Sequence, residues 1–243
     1  MTIEEVKTIE NSVADVIDRV AAASSAAGKK PEDIHLVAAS KMNSAERVQA
    51  AIRAGIRICG ENRVQELLEK YEQNAYAGAD LHFIGTLQTN KVKYLIGKVS
   101  LIHSVSSLKL LQTINKEAAR QKICQDVLLE INIGREAAKS GFSPEELPDV
   151  LQSVSQLDSV RVLGLMAIPP IPLEPHGNSR YFREMQQLFV DISLKKYDNV
   201  NMAYLSMGMS HDFEDAIACG ANMVRVGTGI FGARHYATAD SVK

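Results

Sequence analysis

The stretch IHLVAAS at residues 34–40 is a short apolar run typical of a buried strand, and a helical pattern from Ser44 to Ala54 follows it. The same alternation recurs along the chain. Further strand-like runs lie at 56–59, 81–85, 101–105, 126–133, 160–168, 202–207 and 222–226, with helical patterns at 62–76, 88–97, 107–121, 144–156, 178–194 and 211–219. Strands that alternate with helices indicate parallel pairing. About eight such units in 243 residues favour a closed barrel over an open doubly wound sheet. We therefore predict an α/β fold, a single (β/α)8 TIM-type barrel over residues 1–243.

Two features depart from the simple repeat. Apolar residues recur at steps of three and four over residues 3–26, which predicts an extra N-terminal helix that Gly28 and Pro31 end. The stretch PPIPLEPHGNSR at 169–180 holds four of the seven prolines, so we predict a long loop after the sixth strand. No linker, low-complexity tract or shift in composition indicates a second domain.

The composition excludes several classes of protein. The formal net charge is -2 and the basic residues are scattered, whereas a nucleic-acid surface needs a concentrated basic stripe. Cys59, Cys124 and Cys219 form no CxxC pair, and the six histidines form no HxxxH or HxH pair, so we predict neither a disulfide scaffold nor a metal site. No segment approaches the roughly 20 apolar residues that span a bilayer, and the acidic N-terminus does not resemble a signal peptide. We expect a cytoplasmic protein.

Lys41 is the first candidate for chemistry. It follows directly on the run at 34–40, so in a barrel it lies at the mouth, where active sites of this architecture are found. Partial burial lowers the pKa of a lysine from about 10.4 and frees its amine to attack an aldehyde. The alternative is a solvated lysine at a strand end.

Two loops in the last third of the chain are candidates for binding phosphate. In YLSMGMSHDFEDA (204–216) a strand passes through Ser206, Gly208 and Ser210 into a helix, and in MVRVGTGIFGAR (223–234) a strand passes through Gly227 and Thr228 into a short helix. Backbone N–H groups beside glycine and hydroxyl side chains bind anions, and barrels often bind phosphate after their seventh and eighth strands. The alternative is ordinary helix capping. The GxGxxG match at 227–232 is not a dinucleotide fingerprint, since only eleven residues follow it.

Arg225 and Asn62 complete the candidate set. Alternation along MVRV (223–226) directs Arg225 into the barrel if the valines pack against outer helices, and a guanidinium there needs a buried carboxylate or a ligand as its acceptor. Asn62 follows the second strand, where it either caps a helix or donates to a ligand oxygen.

Taken together, these segments resemble the pyridoxal-phosphate homeostasis protein family, which shares its barrel with the N-terminal domain of alanine racemase. The segments that carry the resemblance are LVAASKMNSAERV (36–48), ICGENRVQEL (58–67), LHFIGTLQTNK (81–91), NIGREAAKSGF (132–142), GLMAI (164–168), LSMGMSHDFEDAIACG (205–220) and VRVGTGIFGAR (224–234). The resemblance implies pyridoxal 5′-phosphate (PLP) as cofactor, in a fold-type III barrel without the second β-domain. It implies that Lys41 forms the Schiff base and that Asn62 lies near the ring and its 3′-oxygen. It implies that Arg225 faces the pyridine nitrogen. The residues that it implies at the phosphate are Met209, Ser210, Gly227 and Thr228, with Ser206 close by.

The function implied is that of a PLP-binding homeostasis protein, a non-catalytic carrier or regulator and not an enzyme. The positive charge of Arg225 disfavours protonation of the ring nitrogen and weakens the ring as an electron sink. Alanine racemase takes its catalytic tyrosine from a separate β-domain and from the partner subunit, and we expect no such β-domain in this chain. The alternatives are a stand-alone PLP-dependent amino-acid racemase and a cofactor-free, Schiff-base aldolase-type barrel. We expect a monomer, with PLP-dependent apo-enzymes as candidate partners and neither nucleic acid nor a membrane.

Overall fold

The computed structural model describes residues 1–172 and 174–232, and a closed parallel barrel forms its centre. The eight strands of the described chain are β1 (His35–Ala39), β2 (Ile58–Glu61), β3 (Asp80–Phe83), β4 (Leu101–Val105), β5 (Gln125–Ile131), β6 (Val160–Ala167), β7 (Val200–Ser206) and β8 (Met223–Val226). They follow one another around the barrel in chain order, and β1 closes it on β8 with Val37 opposite Arg225. The predicted (β/α)8 barrel is therefore confirmed. Residue 173 of the predicted loop, and Ala233 and Arg234 of the segment at 223–234, lie outside the described residues.

Helices cover the outside of the barrel. They are α1 (Ile3–Ala26), α2 (Ala45–Arg53), α3 (Val64–Glu72), α4 (Leu108–Arg120), α5 (Leu147–Val154), α6 (Ser179–Ser193), α7 (Phe213–Ala218) and α8 (Thr228–Phe231). The segment predicted to be helical at 88–97 forms only a 3-10 helix, Thr89–Tyr94, and the one at 144–156 begins with a 3-10 turn, Pro144–Glu146. The 3-10 helix Thr89–Tyr94 is short because Gly97, at φ +79°, turns the chain toward β4.

The extra N-terminal helix α1 covers the last part of the barrel. It begins with a capping box, in which the Thr2 side chain accepts from Glu5 N–H and the Glu5 carboxylate accepts from Thr2 N–H. Its buried face, which includes Val13 and Val16, packs against α2, α7 and α8. Because α8 has only one turn, α1 supplies the apolar cover that β8 and β1 need.

Two apolar layers hold the barrel together. The larger one lies between the sheet and the helices, and the smaller one fills the barrel interior with Val37, Ile58, Leu101, Leu128, Met166 and Met223. Because side chains fill the barrel interior, a ligand cannot bind there, and we expect a binding site at the carboxyl ends of the strands. Among the described helices none is both long and apolar enough to cross a membrane.

Candidate functional site

A cavity of about 530 Å³ opens at the carboxyl ends of the strands. It is lined by Lys41, Asn62, Met209, Ser210, Arg225, Gly227 and Thr228, together with Ile84, Gly85, Thr86, Ser104, Glu130, Met166, Ile168, His211 and Phe231. The structure thus brings together seven of the eight residues that the sequence predicted. Ser206, the eighth, is fully buried beneath Arg225 and does not line the cavity.

Lys41 lies in the turn that directly follows β1. Ser40 before it is completely buried, and Met42 after it has φ +61°, in the left-handed region that non-glycine residues seldom adopt. Asn43 Nδ2 donates to the Lys41 carbonyl at 3.0 Å. The backbone of this turn is therefore closely held, and the lysine is on the wall of the cavity as predicted.

The turns after β7 and β8 meet on the opposite side of Lys41 from β2. Ser210 Oγ accepts from the backbone N–H of Gly227 at 3.2 Å and of Gly229 at 3.4 Å, so one hydroxyl ties the two predicted loops together. Asp212 Oδ1 accepts from Met209 N–H at 2.7 Å. These N–H groups therefore hold the two turns together, and the hydroxyls of Ser210 and Thr228 at the cavity wall can donate to an anion.

Glycine is required at one position of these turns. Gly208 has φ +87°, and a Cβ added there would lie 2.5 Å from Ala216 Cβ on α7. A side chain at residue 208 would therefore push α7 away from the cavity and disturb the arrangement.

Arg225 points into the barrel, as alternation along β8 predicted. Its Nη1 donates to Ser206 Oγ at 2.7 Å, and its Nη2 donates to the Ala167 carbonyl at 3.0 Å. No carboxylate of the described chain lies within the 4 Å of an ion pair, so the carboxylate acceptor weighed from the sequence is not the one found. Burial lowers the Arg225 pKa to about 10, against the opposing influence of Glu130, and the guanidinium stays charged at neutral pH.

A chain of hydrogen bonds continues from Arg225 into the barrel interior. His103 Nδ1 lies 3.1 Å from Ser206 Oγ, and His103 Nε2 lies 3.0 Å from His82 Nδ1. Because a guanidinium only donates, Ser206 Oγ accepts from Arg225. In one tautomer of His103, the Ser206 hydroxyl donates to His103 Nδ1 and His103 Nε2–H donates to His82 Nδ1. Burial lowers the His82 pKa to about 3 and the His103 pKa well below its usual value, so both rings are neutral.

Asn62 does not cap a helix. Arg63 occupies the cap position of α3, while Asn62 Oδ1 is buried without a hydrogen-bond partner among the described residues. Gly85 packs directly on it, since an added Cβ would lie 2.4 Å from Asn62 Cα. An unsatisfied oxygen at a cavity wall indicates a missing donor.

Glu130 is a cavity residue that sequence reasoning missed. It lies on β5, is only 8 % exposed, and its Oε1 accepts from Ser140 Oγ at 3.2 Å. Burial raises its pKa, and the Ser140 hydrogen bond and the charge of Arg225 act in the opposite direction. The sequence signal was a carboxylate within the mostly apolar strand run at 126–133.

Comparison with known proteins identifies the family. The model of the alanine racemase N-terminal domain matches residues 14–235. A pyridoxal phosphate homeostasis protein of Aquifex aeolicus is 45% identical over 221 residues, which cover 91% of this chain and 96% of that protein.

Two solved structures are similar over most of their length. A crystal structure of a protein from Bifidobacterium adolescentis has a TM-score of 0.89 and 34% identity, with coverage of 95% of this chain and 97% of that one. PipY of Synechococcus elongatus PCC7942, solved with PLP bound, has a TM-score of 0.77 and 31% identity, with coverage of 89% and 100%.

Proposed function

Because the chain belongs to the family of pyridoxal phosphate homeostasis proteins, we propose that it binds PLP as a Schiff base on Lys41 and serves as a non-catalytic carrier or regulator of that cofactor. One observation carries the proposal: a single cavity brings together a strand-end lysine, two turns rich in N–H and O–H groups, and a buried arginine. Each of these matches one polar part of PLP.

The donors and the size of the cavity fit the cofactor. An aldehyde needs an amine, which Lys41 supplies. A phosphate dianion needs donors, which the hydroxyls of Ser210 and Thr228 supply beside Gly227. A pyridine nitrogen needs a donor, which Arg225 supplies. Asn62 also lines the cavity, where its amide Nδ2 can donate to the 3′-oxygen of the ring.

When bound, PLP supplies an aldehyde for the lysine and an aromatic ring that can accept electrons. The residues of this chain hold it, and they do so in a way that disfavours turnover. The guanidinium of Arg225 keeps a positive charge in the barrel and so disfavours a second one on the neighbouring ring nitrogen. A ring without that proton is a weak electron sink.

Reduction with borohydride tests the covalent assignment. We expect the purified protein to absorb as a PLP Schiff base, and expect reduction to fix a pyridoxyl-phosphate mass on the peptide that contains Lys41. Lys139 is the rival amine, although its Nζ lies 2.6 Å from Glu136 Oε1 in an ion pair. A label found on Lys139 and absent from Lys41 would disprove the assignment, and the Lys41→Ala variant is the control.

The partners proposed for such a carrier are PLP-dependent apo-enzymes, which it would serve as a monomer. The exposed rim of the cavity supports access by a recipient, since two of its lining residues, Ile168 and Met209, are 40% and 39% exposed. Incubating the PLP-loaded protein with an apo-enzyme, with a trap for free PLP in solution, tests direct transfer. Recovery of enzyme activity in the presence of the trap would support direct transfer, and no recovery would reject it.

A further inference from the structure

A cluster of buried charged side chains lies beneath the turn that carries Lys41. At its centre is Lys70 on α3, whose side chain is only 6% exposed. Its Nζ donates to Glu61 Oε1 at 2.7 Å, to Glu66 Oε1 at 2.7 Å and to the Ser40 carbonyl at 2.8 Å. An ammonium has three N–H donors, so these three acceptors satisfy it completely.

Glu61, at the end of β2, is the deepest member of the cluster. Its side chain is fully buried, and Oε1 also accepts from Ser40 Oγ at 2.7 Å and from Tyr76 OH at 3.1 Å. Burial raises the Glu61 pKa, and Lys70 acts in the opposite direction. Because a buried carboxylate without a cation is costly, the ammonium of Lys70 offsets the burial of Glu61.

The contacts of the cluster converge on the two neighbours of Lys41. On one side, Lys70 holds the Ser40 carbonyl and Glu61 holds the Ser40 hydroxyl. On the other side, Glu66 accepts from Met42 N–H. The left-handed conformation of Met42, at φ +61°, is unfavourable for a residue with a side chain. Bonds on both sides of Lys41 hold the backbone in a conformation that it would otherwise leave.

We propose that Lys70 is a positioning residue for Lys41: together with Glu61 and Glu66 it fixes the backbone of residues 40–42, and so it directs the Lys41 amine toward the aldehyde of the cofactor. The proposal rests on the proposed function and deepens it. The chemistry depends on this direction because a nucleophile reacts fast only when it is held about 3–3.5 Å from its target and aligned with it. The phosphate-binding turns, which lie on β7 and β8, make no contact with Lys70 among the described hydrogen bonds.

The Lys70→Met variant tests the proposal, because it keeps an apolar stem and removes the ammonium. Two quantities are measured: the rate of Schiff-base formation after PLP is mixed with apo-protein, followed by absorbance, and the affinity for pyridoxine 5′-phosphate, which has no aldehyde. We expect the rate to fall by about 10- to 100-fold while the affinity for the analogue is unchanged. An unchanged rate, or a loss of rate matched by an equal loss of analogue affinity, would overturn the positioning role.

A second pair of variants decides the matter even if Lys70→Met fails to fold. Glu66→Gln keeps an oxygen that can accept from Met42 N–H and Lys70, whereas Glu66→Ala does not. We expect alanine to slow Schiff-base formation and glutamine to restore most of the rate, with Glu69→Ala on the exposed face of α3 as the control. A wild-type rate in Glu66→Ala would reject the proposal. Absence of any Schiff base in the unaltered protein would instead reject the proposed function.

Discussion

Replacing Ser210 with alanine should weaken binding of the PLP phosphate by about 1–2 kcal/mol, which is a rise of roughly 5- to 30-fold in Kd. The hydroxyl has two roles in the structure. It accepts from Gly227 N–H at 3.2 Å and Gly229 N–H at 3.4 Å, and its own proton remains to be donated to an anion. Alanine removes both roles.

The magnitude follows from weighing these two roles against each other. A hydrogen bond donated to a charged group contributes about 1.5–3 kcal/mol. The two N–H groups released by the substitution can turn to the phosphate and recover up to about 1 kcal/mol, because their bonds to Ser210 are long. The net loss is therefore smaller than for a serine that only donates.

Calorimetry with pyridoxine 5′-phosphate and with pyridoxine separates the phosphate from the ring. We expect Ser210→Ala to weaken the first ligand and to leave the second unchanged. Ser193→Ala, on the exposed end of α6, should change neither. If Ser210→Ala weakened both ligands equally, or neither, these turns would not be the phosphate site.

Three further predictions follow from other parts of the structure. First, His82 has a folded pKa of about 3 against about 6.5 unfolded, so the unfolded chain binds more protons between these values and stability is lost as the pH falls below about 6.5. Between pH 7 and pH 5, the free energy of unfolding should drop by about 2 kcal/mol more in the unaltered protein than in His82→Gln. Urea unfolding at the two pH values measures this drop, and an equal drop in both proteins would contradict the prediction. Second, Asn178 Nδ2 donates to Asp212 Oδ2 at 2.8 Å, and Asp212 Oδ1 accepts from Met209 N–H in the turn after β7. Because Asn178→Ala removes a hydrogen bond of about 1 kcal/mol that holds Asp212, it should speed PLP release a few-fold. Unchanged release would exclude this coupling. Third, incubation with L-alanine in deuterated water should give α-proton exchange far below an ordinary turnover of about 10 per second. Fast exchange that is abolished by Lys41→Ala would show that the protein is an enzyme.

The barrel could be predicted from the sequence because its determinants are local. Each strand is a mostly apolar run of four to eight residues between helical patterns. Because the strands are parallel, all of their carboxyl ends lie at the same end of the barrel. That geometry also located Lys41, because a residue next to a strand end needs no tertiary information to be placed. Arg225 was found in the same way, from alternation within four residues.

The charged cluster could not be predicted, because its contacts are not local. Lys70 lies on a helix four residues after Glu66, a spacing that ordinarily indicates a solvated ion pair. Only the packing of α3 under β1 and β2 brings it to the Ser40 carbonyl, thirty positions earlier. His82 and His103 are likewise on different strands and meet only inside the closed barrel.

The charge of Arg225 joins the proposed binding of PLP to the proposed absence of turnover. His82 and His103 are neutral, so Arg225 is the cation of that hydrogen-bond chain, and it stays charged at neutral pH. A ring nitrogen held beside Arg225 would accept a hydrogen bond without acquiring a proton. Such a partner strengthens the hold on the cofactor, because a charge-assisted bond forms, and it does not increase the capacity of the ring to take up electrons. A protein that retains PLP and releases it again needs the first effect and not the second.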